Sequence, residues 1–546
     1  MSDTALHSTL KAAPSRANEA ELATLSAAQL TQMLRSRDAT IESLRAQLEW
    51  FKRQIFGAKS ERYAVQPDAA QLHLGDVLAA PPAQPEATRE VRPHQRRAAR
   101  SDFADDGASA PFFDATKVPV VTIDVPCPQA LGLAPEQYEV VGHKESHRLA
   151  QRPGAYVVLK YRRAVIKRLD SHTLHCASAP VGVIEGSRAD VSFIAGVLVD
   201  KFQWHLPLYR QHQRLEQAGF TLSRQWLTSL VGQGAALVQP IYDAQLESIR
   251  RCRVKAVDET PIKAGRTGPG KMRAGYFWPV WGEHDEVCFA YFGSREHRHV
   301  VDLLGPQQPT GAVLLSDGYG AYEAYAKKTG VVHAQCWAHA RRHFHDALGA
   351  APQEADCALR LIARIYEVEH EIREHKLGGQ DKRLHRLACA KPHVERFFAW
   401  ADERFAAQGL LPSNKLTQAL AYALERRAGL QVFLQDEQVS IDTNHVERAI
   451  RPIALGRKNW LFCWTEVGAQ HAGVVQSLIA TCRVHGIDPY TYFVDVLQRV
   501  GQHPASRVAE LTPRQWKQHV AANPLRSDLN RLDGAATPRA ATRTGP

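Results

Sequence analysis

The sequence contains two short apolar segments that each run into an aspartate, Val254-Lys255-Ala256-Val257-Asp258 and Ala312-Val313-Leu314-Leu315-Ser316-Asp317. Short apolar runs bounded by turn residues are typical of buried β-strands. The surrounding sequence predicts further strands at 276–281, 287–292 and 331–336 and helices at 296–304 and 319–327. The resulting order, βββαβαβ, predicts an α/β core.

This order of elements is that of the ribonuclease-H-like fold, in which the ends of the first and fourth strands lie side by side. Asp258 and Asp317 stand at those two ends. Two adjacent carboxylates form a hard-oxygen site for Mg²⁺ or Mn²⁺, and two such ions can clamp a phosphoryl transfer. Each aspartate also has a structural explanation, because Asp258 can cap the turn before Thr260-Pro261 and Asp-Gly at 317–318 is a common turn dipeptide.

A third carboxylate is predicted on a helix that begins within the segment 442–448, DTNHVER. The helical spacing places Asn444, Glu447, Arg448 and Arg451 on one face. A carboxylate there can hold metal, and arginines can hold phosphate. The spacing of Asn444 and Glu447 also resembles a capping box, in which Glu447 would only stabilise the start of the helix.

The core is predicted in two parts, 251–339 and 440–485. Between them, residues 340–439 have the apolar periodicity of helices, at 359–375, 391–408 and 416–433. A ribonuclease-H-like core needs far fewer residues between its second aspartate and its final carboxylate. Residues 340–439 are therefore predicted to be a helical insertion, and residues 486–546 a C-terminal helical region with a basic tail.

Two modules are predicted at the N-terminus. In a helix at 19–62, Leu34, Ile41, Leu48 and Ile55 recur every seven residues, which favours a coiled coil and self-association. The alternative is an amphipathic helix packed on its own chain. Residues 63–118 contain prolines and an arginine cluster and are predicted to form a flexible basic linker, whose charges contact phosphates or are merely solvated.

Two further modules precede the core. Residues 119–185 are predicted to be β-rich, and the basic segment 155–168 would lie on DNA or form an exposed sheet face. Residues 186–250 are predicted to be helical, with Thr221 or Ser223 capping a third helix that carries Arg224. This arrangement resembles a helix-turn-helix and would place Arg224 on DNA, although any small helical bundle has such corners.

Six ordered motifs resemble those of bacterial DDE transposases of the insertion sequence 66 family. They are FGAKSER at 56–62, HLPLYRQ at 205–211, DETP at 258–261, SDGY at 316–319, CWAHARR at 336–342, and NHVERAIRP at 444–452 followed by GRKNW at 456–460. The resemblance implies that Asp258, Asp317 and Glu447 are the catalytic triad and the ligands of two Mg²⁺ or Mn²⁺ ions. It implies cleavage at the ends of a mobile element, followed by attack of the new 3′-hydroxyl on target DNA. Glu259 adjoins the first aspartate and is not the expected ligand.

Residues near the triad are candidate DNA contacts or supporting groups. The predicted DNA contacts are basic, namely Arg341, Arg342, Arg448, Arg451, Arg457 and Lys458, besides Arg224. Trp460 would stack on a base of a distorted DNA end or pack in the core. Asn444, Cys336 and His339 are predicted supporting residues. A lone Cys-x-x-His lacks two ligands of a structural zinc site, so a structural role, active-site support and metal binding are the alternatives for Cys336 and His339.

Zinc is not expected as a cofactor of this protein, and the purified protein should carry little of it. The segment that decides this is the β-rich module. Many members of the family have paired cysteines there, whereas Cys127 and Cys176 of this chain stand alone. Two thiolates do not complete a four-coordinate site. The module is therefore predicted to be ribbon-like without zinc.

Composition favours a nucleic-acid partner. The 546 residues include 68 Lys and Arg against 57 Asp and Glu, a net charge of +11. The sequence has no apolar run of the ~20 residues that a membrane span needs, no apolar signal-peptide region and no CxxC pair among nine cysteines. A cytoplasmic protein without a membrane partner is expected.

The expected function is that of a DNA transposase acting on element ends and target DNA. The coiled coil would make it a homo-oligomer, and accessory proteins of the same element are further expected partners. The alternatives are a catalytically inactive DNA-binding protein that bridges ends, and a ribonuclease-H-type nuclease without strand transfer. An intact triad and the predicted DNA-binding modules favour the transposase.

Overall fold

The structure is a computed structural model that describes residues 112–529, apart from 131–132, 153–154, 269–270, 408–410, 461–462 and 464. The described residues form a mixed α/β protein with ten strands in two sheets. The predicted coiled coil at 19–62, the arginine cluster of the linker and the basic tail lie outside the described residues.

The first sheet confirms that the segment 119–185 is β-rich. Its strands are β1 (Val120–Val125), β2 (Tyr138–Arg152), β3 (Ala155–Arg168) and β4 (Leu174–Cys176). β3 is central, antiparallel to β2 and β4 and parallel to β1. Alternate residues of β3, Val157, Leu159 and Tyr161, pack with Leu529 in a buried cluster, as the two-residue period of a strand requires.

The basic side chains of β3 are largely engaged within the protein. Lys160 pairs with Glu145 at 2.8 Å, and Arg162 pairs with Asp124 at 2.6 Å. Arg163 is buried and donates a hydrogen bond to the Ala177 carbonyl. These contacts weaken the hypothesis that this strand presents a free basic surface to DNA.

Three helices follow, as predicted for residues 186–250. They are α1 (Val191–Phe202), α2 (Leu208–Gln217) and α3 (Arg224–Arg251). The Ser223 hydroxyl caps α3 by accepting a hydrogen bond from Trp226 N, which confirms one of the two predicted caps. Arg224 is exposed in the first turn, whereas much of the remaining length of α3 contributes buried apolar side chains.

The second sheet contains the two strands that precede the aspartates. Its members are β5 (Val254–Val257), β6 (Thr260–Gly268), β7 (Lys271–Gly282), β8 (Val287–Phe292), β9 (Val313–Ser316) and β10 (Val332–Gln335). The order across the sheet is β10-β9-β5-β7-β8. β5, β9 and β10 are parallel, and β7 is antiparallel to both β5 and β8.

The sequence analysis did not predict strand β6. It continues the line of β5 along β7 after the interruption at Asp258 and Glu259. Its register shifts between Lys263 and Arg266, and Gly265 has a φ of 75°. Proline, glycine and these irregularities hide the strand pattern, while pairing with β7 stabilises it.

The remaining helices include those predicted for residues 340–439, the segment that is called the helical insertion. The shorter helices beside the second sheet are α4 (Arg298–Leu304), α5 (Gly320–Thr329) and α6 (Trp337–Asp346). The insertion continues with α7 (Pro352–Glu374), α8 (Gly379–His385), a π-turn at Arg386–Ala390, α9 (Lys391–Ala407), α10 (Lys415–Glu425) and α11 (Arg427–Gln435). The prediction of one helix at 416–433 was wrong, because the backbone leaves helical geometry at Arg426, with φ −102° and ψ 12°.

Four helices complete the described chain: α12 (Asn444–Trp460), α13 (Glu466–Val484), α14 (Pro489–Arg499) and α15 (Pro513–His519). α13 covers the edge of the second sheet, where its Ser477 hydroxyl accepts from Phe289 N at 2.8 Å and its Thr481 hydroxyl accepts from Val287 N at 3.1 Å. A helix that bonds an edge strand in this way blocks further strand pairing. Among the described residues, no helix is both long and apolar enough to cross a membrane.

Candidate active site

Asp258 and Asp317 lie at the same edge of the second sheet. β5 and β9 are adjacent and parallel, with Ala256 paired to Leu315, and each aspartate is the first residue after its strand. Every residue of both strands is buried. The two aspartate carboxyl groups therefore follow the buried strands at the same edge of the sheet.

The Asp258 carboxyl is in a buried and negatively charged environment. Burial, followed by the charges of Glu259, Asp317 and Glu447, raises its pKa to about 7. Its Oδ1 accepts a hydrogen bond from Glu259 N at 2.8 Å, which acts in the opposite direction. All three predicted ligands are thus close enough to interact as charges.

Asp317 also has the turn contact proposed as its structural alternative. Its Oδ1 accepts from Tyr319 N at 3.0 Å. This bond orients the carboxylate at the end of β9 through one of its two oxygens. A turn role and a metal-binding role are therefore compatible for Asp317.

Glu447 lies in the first turn of α12, and its side chain does not close a capping box. The Asn444 N–H that such a box requires instead donates to Asp442 Oδ1 at 3.0 Å. Glu447 Oε1 lies 3.4 Å from Arg342 Nη2 and 3.9 Å from His339 Nε2. The side chain is therefore directed toward α6, in the motif that follows the second aspartate.

Cys336 and His339 link the start of α6 to the start of α12 through different contacts. The buried Cys336 Sγ accepts hydrogen bonds from both N and Oγ1 of Thr443, each at 3.3 Å. Burial raises the pKa of Cys336 to about 11, so the thiol stays protonated. Cys336 joins the start of α6 to the start of α12 and so positions Glu447. Burial lowers the pKa of His339, which favours a neutral imidazole beside that carboxylate.

Glu259 is held by neighbours that differ from those of Asp258. It accepts hydrogen bonds from the Tyr322 hydroxyl at 2.7 Å and from Arg295. The Arg295 guanidinium lies 4.4 Å from the centre of the Tyr319 ring. These contacts fit a structural support behind the site, and burial raises the pKa of Glu259.

The carboxylate oxygens of Asp258, Asp317 and Glu447 do not all lie as close to one another as the ligands of a single bound ion would. Among the described residues, the one group of three Cys, His, Asp or Glu side chains whose ligand atoms all lie within 4.8 Å is Cys252, Glu283 and His284. Asp258, Asp317 and Glu447 are not in it. Mutual repulsion of like charges opposes their closer approach.

The predicted DNA contacts are distributed around this site. Arg341, Arg448, Arg451 and Lys458 are exposed, and Arg342 is beside Glu447. Arg457 donates to the Pro261 carbonyl, which ties α12 to β6. The Arg224 guanidinium lies 5.8 Å from the centre of the Tyr209 ring.

The predicted common face of α12 is divided. Asn444 and Arg448 line a cavity of about 620 Å³ between the second sheet and the helical insertion. Glu447 is not among the lining residues and contacts α6 instead. The Glu447 carboxylate thus faces α6, whereas Asn444 and Arg448 face the cavity.

Arg426 and Tyr422 of the insertion are residues that the sequence analysis missed. Arg426 Nη2 lies 3.5 Å from the Gly318 carbonyl oxygen, and its guanidinium lies 4.1 Å from the centre of the Tyr422 ring. A Cβ at Gly318 would be 2.8 Å from Arg426 Nε, so glycine permits this approach. Local periodicity does not reveal a contact across so long a sequence separation.

The Trp460 side chain folds back against Gly456 of α12, the helix that carries both residues. A Cβ at Gly456 would be 2.6 Å from Trp460 Nε1 and 3.0 Å from His205 Nδ1. The HLPLYRQ and GRKNW motifs are therefore in contact. Trp460 is half-buried, so packing accounts for part of its surface.

A sequence model of the Transposase IS66 family matches residues 186–471, more than half of the chain. The chain belongs to the IS66 transposase family. The match includes Asp258, Asp317 and Glu447 together with the helical insertion. The IS66 C-terminal element matches residues 477–514, and the element described as Transposase C of IS166 homeodomain matches residues 43–106. These matches indicate a DNA-binding protein.

Full-length relatives of this IS66 transposase occur in Sinorhizobium fredii. Uncharacterized protein y4hP is 28% identical over 88% of this chain and 90% of its own length. Uncharacterized protein y4jD is 29% identical over 90% of this chain and 97% of its own length. Uncharacterized protein y4qI is 29% identical over 92% of this chain and 94% of its own length. The similarity thus extends well beyond the core.

Proposed function

We propose that this IS66 family transposase cleaves DNA at the ends of a bacterial insertion sequence and transfers the resulting strand into target DNA. The observation that carries the proposal is the meeting of Asp258, Asp317 and Glu447, from β5, β9 and α12. They interact as charges at one end of the second sheet and lie within the family match. In this proposal they are the catalytic and metal-binding triad.

The topology of the second sheet supports a ribonuclease-H-like core. Counting β5 and its continuation β6 as the first strand, the order β8-β7-β5-β9-β10 becomes 3-2-1-4-5, with only the second strand antiparallel. The core would comprise residues 251–339 and 440–485, with the helices of 340–439 inserted before α12. This topology supplies the juxtaposed ends of the first and fourth strands.

The donor set suits Mg²⁺ or Mn²⁺. It consists of three carboxylates, which are hard oxygen ligands, and burial together with the neighbouring carboxylates raises the pKa of Asp258, an environment that a bound cation would relieve. Asp258, Asp317 and Glu447 would hold two ions. When bound, the ions would neutralise phosphoryl charge and activate first water and then the 3′-hydroxyl.

The chain's own cations would position the DNA backbone. Arg342 lies beside Glu447, and Arg426 lies beside the Asp317-Gly318 turn. Guanidinium groups bind phosphate oxygens bidentately, so both residues can orient a phosphate toward the carboxylates. Arg341, exposed on the same helix as Arg342, would extend this contact along the strand.

The partners follow from the same proposal. The protein would bind terminal repeats and target DNA, self-associate through the helix at 19–62, and act with accessory proteins of its element. Pairing of two element ends requires more than one DNA-binding surface in the complex. Self-association would provide it.

The test is metal-dependent cleavage of supercoiled DNA that carries the element's own flanking ends. Wild type is compared with Glu447→Gln and Asp317→Asn, in Mg²⁺ or Mn²⁺ and in chelator. Glu323→Gln is a matched control, because Glu323 is exposed and its ion pair is with Lys327. Cleavage at the ends by wild type and the control alone, lost in chelator, is expected.

Other outcomes separate the alternatives. End-specific cleavage by Glu447→Gln would remove Glu447 from the active site. End binding by wild type without cleavage would support the inactive bridging protein. Cleavage without joining to target DNA would support the nuclease.

A further inference from the structure

A second cluster of metal-binding side chains lies at the opposite end of β5 from Asp258. Cys252 ends α3 immediately before β5, and Glu283 and His284 lie in the turn between β7 and β8. One sulfur, one carboxylate oxygen and one imidazole nitrogen lie within 4.8 Å of one another. Two chain segments thus bring three different donors together.

The backbone around the cluster holds Glu283 in place. Its Oε1 accepts from Arg253 N at 3.2 Å, and its Oε2 accepts from Val254 N at 3.0 Å. Each carboxylate oxygen has a second lone pair, so these bonds orient the group and leave it able to bind a cation. The carboxylate is therefore pre-positioned next to Cys252.

The turn leaves room for the thiol. A Cβ at Gly282 would be 2.9 Å from Cys252 Sγ, so a larger residue would displace the sulfur. Asp285 has a φ of 58°, and Gly282 N donates to the Glu286 carbonyl at 3.0 Å, which closes the turn tightly. His284 is half-exposed with its Nε2 3.9 Å from Glu283 Oε1, so its ring can rotate toward the sulfur.

We propose that Cys252, Glu283 and His284 bind one Zn²⁺ ion, with water in the fourth position. Thiolate, imidazole and carboxylate are the protein ligands of zinc, whereas Mg²⁺ requires oxygen donors. Tetrahedral zinc with bonds of about 2.0–2.3 Å holds its ligand atoms roughly 3.5 Å apart. The three donor atoms lie within 4.8 Å of one another, so small side-chain rotations would bring them to that distance.

Binding displaces one proton. The Cys252 thiol gives its proton to solvent as the zinc–sulfur bond forms. Zinc affinity therefore increases with pH. The ion would join the end of α3 to the β7–β8 turn, and this structural role is independent of the proposed DNA chemistry.

This site departs from the expectation that the protein carries little zinc, which was drawn from the β-rich module. Cys127 and Cys176 lie in and beside the first sheet and are not part of the cluster. Zinc found in the protein would thus leave the prediction of a zinc-free ribbon intact, provided that it depends on Cys252.

The experiment measures bound zinc and the absorption spectrum of the cobalt-substituted full-length protein. Wild type is compared with Cys252→Ser and with His284→Asn, which changes a half-exposed side chain and so preserves the fold. Cys357→Ser is the cysteine control, and Asp258→Asn tests for zinc bound at the triad. Circular dichroism confirms folding of each variant.

The proposal predicts one zinc per chain in wild type and both controls, and at least tenfold weaker binding in Cys252→Ser and His284→Asn. The cobalt protein should show a thiolate-to-cobalt absorption band that only Cys252→Ser abolishes. Zinc retained by folded Cys252→Ser, zinc lost in Asp258→Asn, or no zinc bound by wild type would overturn the proposal. None of these results depends on DNA cleavage.

Discussion

Residue-scale contacts around the candidate active site join positions that are far apart in the sequence. Cys336 receives two hydrogen bonds from Thr443, and Arg426 reaches the carbonyl of Gly318. Neither residue is itself one of the proposed metal ligands. Both show how the surrounding structure positions carboxylates that the motifs alone identify.

Lys255 illustrates the cost of placing a charge within the central strand. It is buried in β5, where its Nζ donates to the Cys252 carbonyl and to Gln308 Oε1. Burial lowers the pKa of Lys255 to about 8. The unfolded chain should have the ordinary value of about 10.4.

We predict that the free energy of unfolding of wild type, relative to Lys255→Met, increases by about 2.5 kcal/mol between pH 8 and 10.5. Below pH 8 both states carry the protonated amine, and the penalty of burying it is complete. As the pH rises, the folded state releases the proton while the unfolded state keeps it, so folding is favoured. Urea unfolding across this range measures the difference.

The exposed Lys328 supplies the control for this experiment. Lys328→Met should change the free energy of unfolding equally at all of these pH values. A constant difference between wild type and Lys255→Met would mean that Lys255 has an ordinary pKa in the folded protein.

At the scale of elements, close contact between α13 and β8 explains why a glycine stands within a helix. A Cβ at Gly473 would be 2.3 Å from the Phe289 carbonyl oxygen. The same approach allows the Ser477 hydroxyl to bond Phe289 N. Glycine therefore sets the distance between the helix and the sheet edge.

We predict that Gly473→Ala lowers the free energy of unfolding by about 1–3 kcal/mol, because the added methyl group forces α13 away from β8. Gly232→Ala in α3 is the matched control, since its new Cβ would come no closer than 3.6 Å to the His471 ring. Alanine there should stabilise the protein by about 0.5–1 kcal/mol through helix propensity. Urea unfolding of both variants distinguishes contact from propensity, and stabilisation by both would contradict the close packing.

Patterns within an element predicted some features and missed others. The apolar runs at 254–257 and 287–292 correspond to observed strands. A run of consecutive apolar residues is enough to indicate a buried strand, so no distant contact is needed to predict it. Strand β6 and the break at Arg426 were missed. Both depend on a partner elsewhere, pairing with β7 in one case and contact with the Gly318 turn in the other.

At the scale of the whole molecule, two motifs far apart in sequence form one surface through the contact of His205 with Gly456. Trp204 is 65% exposed and Tyr209 is 54% exposed, and Arg224 lies against the Tyr209 ring. Exposed aromatics with cations are typical of surfaces that bind unpaired nucleic acid. This surface is a candidate DNA contact of the proposed transposase.

We predict that Trp204→Ala weakens binding to element-end DNA with an unpaired terminus by about 5- to 100-fold, the range expected from loss of one stacked base. The salt dependence of binding should stay unchanged, because no phosphate contact is lost. Lys458→Ala should instead reduce the salt slope by about one. Fluorescence anisotropy at several salt concentrations measures both effects.

Phe405→Ala is the control for this surface, since Phe405 is an exposed aromatic at 42% on α9. It should leave DNA affinity unchanged. Equal losses in Trp204→Ala and Phe405→Ala would show that aromatic exposure, and not this surface, accounts for the effect.

The heptad pattern at 19–62 gives a second prediction for the whole molecule. Removal of residues 1–62 should lower the oligomeric mass measured by light scattering, because the apolar heptad positions predicted to join copies would be lost. Replacing Leu34, Ile41, Leu48 and Ile55 together by Ser in the full chain should have the same effect. An unchanged mass in both proteins would show that the helix packs on its own chain.

Local sequence was sufficient for the two strands that end in aspartate and the helical nature of 340–439, and it narrowed the cap of α3 to Thr221 or Ser223, because each depends on residues within a few positions. The six motifs further identified the transposase family. Tertiary structure was required to direct Glu447 toward α6, to separate it from Asn444 and Arg448, and to bring Arg426 to Gly318. It also assembled Cys252 with Glu283 and His284. Such contacts join residues distant along the chain, and the packing of helices against the sheet determines which of them meet.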